Sequence, residues 1–273
     1  MIYIDSTYEL IEASVLDKIQ KLKSLKQVHY FYHPRNVNRV DNLLYICKSK
    51  GLNCFPSQYF IDYSTKYQPD LSGEKLTKKH FLCLTGKITP YRTFLIALLS
   101  KFNLLDYGYV SFFHNAVDKN FDNGITNNYL NSNLSSYAKN IIKEELDKIK
   151  LPLIVDEPNL SRSLSHKKTF NAVPYQAVNF VIVPETAGSL TQNEFFVTEK
   201  TIKCVLTNKK FIPVASQHFV KNLKEYYKLF DTDISNLVDW YDNSFDILPS
   251  TEERIERIVE IVKNTIESTQ YLK

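Results

Sequence analysis

Apolar residues along the chain fall into two alternating patterns: short unbroken runs of strand length, and longer stretches with apolar positions three and four residues apart. Residues 1–4 and 27–32 read as strands. Residues 6–26 read as a helix with Leu10, Ile11, Val15, Ile19, Leu22 and Leu25 on its apolar side, and 41–50 as a second helix ended by Gly51. Residues 53–63 are aromatic and extended, so the opening of the chain predicts a βαβαβ lobe with a small parallel sheet.

Over 68–79 the composition shifts to Asp, Ser, Gly, Glu and Lys, which marks a candidate lobe boundary. The alternation then resumes with a strand over 80–84, a turn over 85–90, a helix over 91–103, a strand over 107–113 and an amphipathic helix over 132–150. An Asn- and Asp-rich loop fills 113–129, and 151–169 is irregular, with Arg162, His166, Lys167 and Lys168 making it basic. A buried strand over 177–183, a helix over 197–207, a strand over 210–215 and a helix over 217–228 follow. The last helix, 250–272, has Ile255, Ile258, Val259, Ile261, Val262 and Ile266 as its apolar side. The predicted architecture is α/β, with two Rossmann-like lobes, 1–79 and 80–249, and a terminal helix, 250–273, packing back across both.

Composition narrows the function classes. A chain of 273 residues is long enough for two compact cores. A net charge of +4, spread along the chain, suits an anionic ligand such as a nucleotide but does not by itself imply nucleic acid. The six glycines form neither a G-x-G-x-x-G nor a Walker A sequence, which weighs against nicotinamide dehydrogenases and P-loop kinases. Cys47, Cys54, Cys83 and Cys204 form no C-x-x-C pair and are expected to be reduced, mostly buried thiols, with no zinc site. No run approaches the roughly 18 apolar residues of a membrane helix, and Met1-Ile2-Tyr3-Ile4-Asp5 lacks the basic start of a signal peptide. The expectation is a cytoplasmic protein without membrane insertion.

Two strand ends carry candidate chemistry. The run Ala177–Val183 ends at Pro184, with Glu185 just beyond it, and Thr198 then caps a helix that has Glu199 and Lys200 in its first turn. Ligands of open α/β sheets bind beyond the carboxyl ends of strands, where helix N-termini and early cations favour phosphate. Glu in a first turn also serves simply as a complement to the helix dipole. The strand over 80–84 repeats the geometry, with Arg92 in the following helix. A cation is disfavoured there, so Arg92 either points to solvent or a neighbouring loop, or grips an anion bidentately. His33 follows a strand and Asp5 ends one, so either is a candidate general base. Asp231-Thr232-Asp233 resembles a metal-binding Asp-x-Asp but follows a helix, and reads as a turn or cap.

Glu185-Thr186, then Phe196-Val197-Thr198-Glu199-Lys200, then Lys210-Phe211-Ile212-Pro213-Val214-Ala215 resembles the donor-binding motif of the α1,3-fucosyltransferases, with Arg92 matching an upstream Arg of that family. Thr186 stands where the family has Asn. The resemblance covers residues 80 to 230 and implies a GT-B fold and a glycosyltransferase with a nucleotide-sugar donor, inverting in the family manner and needing no metal or other cofactor. It further implies that Lys200 and Arg92 neutralise the diphosphate, Glu199 bonds the ribose, Glu185 contacts the sugar and Phe196 packs near the base. Lacking the anchor of Golgi enzymes, the chain looks more like the bacterial or viral members. The acceptor would be a glycan or small glycoside. Two alternatives stand beside it: a phage-type enzyme acting on a DNA base, and a non-catalytic nucleotide-binding protein of the same fold.

Overall fold

The computed structural model describes residues 2–6, 28–32, 53–56, 68–73, 75–85, 88–112, 129–150, 153, 169–185, 197–228 and 231–270. Near the start of the chain, β1 (Ile2–Ser6), β2 (Val28–Tyr32) and β3 (Asn53–Pro56) form a parallel sheet in that order. Ile2 pairs with Val28 and His29 with Asn53. The helices expected over 6–26 and 41–50 lie outside the described residues.

The stretch expected as a boundary carries a short strand, β4 (Gln68–Asp70). It pairs in parallel with β7 (Thr169–Asn171), and Ala172 N donates to Asp70 O at 2.8 Å. The Asp70 carboxylate accepts Ser72 N and Ser72 Oγ and turns the chain out of the strand.

The core lies around a four-stranded parallel sheet of β5 (Lys79–Thr85), β6 (Gly108–Phe112), β8 (Val178–Pro184) and β9 (Phe211–Val214) in the order β6-β5-β8-β9. Parallel strands covered on both faces need continuous apolar runs. Phe81-Leu82-Cys83, Phe180-Val181-Ile182-Val183 and Phe211-Ile212 supply them, all buried. Cys83 and Cys204 are buried free thiols, as expected. Phe81 pairs with Gly108 on one side and Phe180 on the other. Its ring lies so close to Gly108 that a Cβ there would fall 2.3 Å from it, so only glycine fits at the start of β6.

Among the described residues are seven α-helices: α1 (Pro90–Lys101), α2 (Ser136–Leu146), α3 (Val173–Gln176), α4 (Glu199–Leu206), α5 (Phe219–Lys228), α6 (Ser235–Val238) and α7 (Thr251–Gln270). Helix α1 is apolar nearly all round because α2 and α7 both pack on it. The six apolar positions expected on the last helix are buried in α7. Glu252, in its first turn, accepts Ser135 N at 2.7 Å and ties α7 to the start of α2. Among the described residues no helix is long and apolar enough to cross a membrane.

In chain order the main sheet runs 2-1-3-4, so the chain leaves β5 toward one side and returns as β8 on the other. Such a reversal leaves a crevice beyond the carboxyl ends of the two central strands. Thr85 ends β5 there and Pro184 ends β8.

Candidate functional site

Helix α1 starts at that crevice. Thr89 has extended backbone angles and its Oγ1 accepts Arg92 N at 3.4 Å, while Pro90 fills an opening position where a missing N–H costs nothing. Arg92 is only 4 % exposed and does not point to solvent. Its Nη2 donates to the Pro184 carbonyl at 2.8 Å, joining the start of α1 to the last residue of β8. Burial lowers its pKa, and the charges of Glu185, Cys83 and Glu199 act to raise it. A guanidinium stays protonated in such a setting, so a fixed positive charge lies behind the crevice.

Glu185 follows β8 and extends its pairing, its N donating to Val214 O at 3.0 Å. Its carboxylate is turned inward and buried. Oε1 accepts Thr198 N at 3.2 Å and Thr201 Oγ1 at 2.5 Å, and Oε2 accepts the Thr198 hydroxyl. Burial raises the Glu185 pKa, and Lys200 with the two threonines acts against it; Glu199 adds to the rise. The carboxylate thus fastens the start of α4 to the end of β8. Thr198 is the N-cap the sequence predicts, and its Oγ1 accepts Lys200 N at 3.3 Å while donating to Glu185.

Glu199 and Lys200 form the outer part of the site. Their side chains are 43 % and 22 % exposed, with Lys200 Nζ 3.4 Å from Glu199 Oε1. Partial burial acts to raise the Glu199 pKa, but Lys200, Lys203 and a bond to its own backbone N–H hold it below the ordinary carboxylate value. Two cations, Arg92 and Lys200, therefore share the crevice with two carboxylates, Glu185 and Glu199.

Five of the residues singled out in the sequence, Arg92, Glu185, Thr198, Glu199 and Lys200, are brought together. Phe196 and His33 lie outside the described residues, as does the basic loop at 162–168. Asp5 is in β1 paired with Phe31, and only its backbone is described. Glu185, expected to face a sugar, is buried behind Thr198. Thr201 is a member that sequence reasoning missed. It lies three residues beyond Thr198 on the same face of α4, and that spacing was the available signal. Asp233 accepts Ser235 N at 2.9 Å just ahead of α6, and Asp231 takes a left-handed φ of 51°, so this pair forms a turn, one of the two expected readings. No group of three or more metal-ligating side chains occurs among the described residues.

A second buried carboxylate does similar work elsewhere. Asp246, in a 3-10 turn (Asn243–Ile247), accepts Val220 N at 2.9 Å and Lys221 N at 3.2 Å and so caps α5 from a distance. Burial raises its pKa, and those two N–H groups, His218 and Arg254 act against the rise. Arg254 is itself buried and donates to Ala215 O, Leu248 O, Pro249 O and Thr251 Oγ1.

Comparisons of the chain with protein families, with curated proteins and with solved structures gave no match.

Proposed function

We propose that the crevice beyond β5 and β8 binds the diphosphate of a nucleotide-sugar, and that the protein is a glycosyltransferase moving the sugar to an acceptor hydroxyl. The observation that carries this reading is the strand-order reversal with the starts of α1 and α4, and with Arg92 and Lys200, beside it. The likeness of the Phe196–Lys200 motif to the fucosyltransferases supports it from the sequence side. Lys200 Nζ would meet the departing diphosphate, and Arg92 would add a fixed charge from behind. Glu185 and Thr201 would hold α4 in register with β8. The N-terminal lobe would bring the acceptor in a two-lobed GT-B arrangement, with Asp5 or His33 taking the hydroxyl proton.

The test is thermal denaturation of the full chain with a panel of nucleoside diphosphates and their sugars. At about one hundred times its dissociation constant, the right ligand adds about 2.7 kcal/mol and raises the melting temperature by several degrees. Lys200→Ala should lose that rise without losing cooperative unfolding. If no nucleotide raises the melting temperature, the reading is wrong. A binding protein without turnover has one observation in its favour: Glu185, which the resemblance would have contact the sugar, is already engaged by Thr198 and Thr201. Donor binding with neither transfer nor donor hydrolysis is the result that selects it.

A further inference from the structure

Among the described residues, each cation at the starts of α1 and α4 has a carboxylate beside it. Arg92 and Glu185 are buried, and each is bonded into the frame, Arg92 to the Pro184 carbonyl and Glu185 to Thr198 and Thr201. Neither can move without opening the junction of α1, β8 and α4. Lys200 and Glu199 differ. They are neighbours in sequence, and consecutive helical side chains do not ordinarily face each other, so their contact is not one the helix imposes. At 3.4 Å and this exposure the pair is weak, and it holds no structural element in place.

We infer that Glu199 is a built-in stand-in for the ligand's phosphate, occupying Lys200 in the unliganded protein and leaving it when a polyvalent anion enters the crevice. This rests on the proposed diphosphate site and adds how that site discriminates. Among the described residues at the starts of α1 and α4, Arg92 faces the charge of Glu185, and Lys200 that of Glu199, so each cation already has a carboxylate beside it. A ligand with one negative charge gains little by trading places with a tethered carboxylate. A diphosphate carries enough charge to displace it and engage Lys200, with Arg92 adding its fixed charge from behind. Glu199 therefore raises the charge a ligand needs and lowers affinity for small anions, the opposite of a residue that only contacts the ligand.

The experiment is titration calorimetry at low ionic strength on the full chain, with inorganic pyrophosphate and, separately, orthophosphate, for the wild type, Glu199→Gln and Lys200→Ala. Pyrophosphate has no ribose, so any hydroxyl-binding role of Glu199 is silent. Removing a like charge beside the bound anion should tighten pyrophosphate binding by about tenfold in Glu199→Gln, narrow the preference for pyrophosphate over orthophosphate, and leave Lys200→Ala without measurable binding. Pyrophosphate bound by Glu199→Gln no more tightly than by the wild type overturns the inference while leaving the diphosphate site standing. No pyrophosphate binding by either protein, with both melting cooperatively, overturns the inference and the diphosphate reading together.

Discussion

Glu185 and Asp246 are the same device in two places: a buried carboxylate, brought from a distant part of the chain, accepting hydrogen bonds at the start of a helix. Each has a pKa raised by burial and a buried arginine nearby. Around Asp246 the polar groups close on themselves, since Arg254 spends its donors on three carbonyls and a hydroxyl. Around Glu185 they lead outward, through Thr198 to the Lys200 N–H and on to the half-exposed Glu199–Lys200 pair at the strand-order reversal. A buried carboxylate at a helix start is thus no mark of function. What separates the two sites is whether the hydrogen-bonded chain ends inside the protein or at a crevice.

The largest expected effect tests the closed site. Arg254→Met leaves the buried Ala215 carbonyl and two part-buried ones without their donor and should destabilise by about 3 kcal/mol, read from the urea midpoint. Asp246→Ala and Glu185→Ala should each cost about 2–3 kcal/mol, from a lost cap and an uncompensated buried cation nearby. Only Glu185→Ala should also weaken nucleotide binding; if Asp246→Ala weakens it equally, the distinction drawn between the sites is wrong. Thr201→Val, which removes one donor to Glu185 at nearly constant shape, should cost about 1 kcal/mol.

A pH series sharpens the comparison further. Glu185 and Asp246 have folded pKa values above their ordinary 4.5 and 3.8, so the folded protein holds those protons more tightly. Their contribution is complete below the ordinary values and is lost as pH rises through the folded ones. Glu199 has the opposite sign: its contribution is present above 4.5 and lost as pH falls through its lowered value. Urea midpoints of Glu185→Gln and Asp246→Asn should each fall less steeply than the wild type as pH rises from about 4 to neutrality. The smallest change in stability belongs to Lys200→Ala, about 0.5 kcal/mol or less, because its ion pair is exposed.

The main sheet was legible because strands buried on both faces are unbroken apolar runs, and α1, α4 and α7 were legible from their caps and spacing. Strand β4 was not. Gln68-Pro69-Asp70 has no apolar run, and its strand exists only through pairing with Thr169–Asn171, where no strand was expected either. Arg92 was placed correctly in a first turn, but its direction depended on a carbonyl 92 residues away, which no local pattern encodes. Glu185 was legible as a strand-end carboxylate. Its inward turn was not, since that is set by two hydroxyls on a helix whose packing the sequence does not state.

The bond between Arg92 and the Pro184 carbonyl spans 92 residues, so it has a history as well as a geometry. On a ribosome adding about 5–20 residues per second, roughly 5–20 s pass between synthesis of the guanidinium and of the carbonyl it meets. During that interval β5 can pair with β6, but its other edge stays open until β8 emerges. An open parallel edge flanked by apolar side chains is a template for association with other nascent chains. The order in which the strands are made thus puts the future crevice at an edge that stays exposed until β8 is made, and slow translation before residue 178 would extend that exposure.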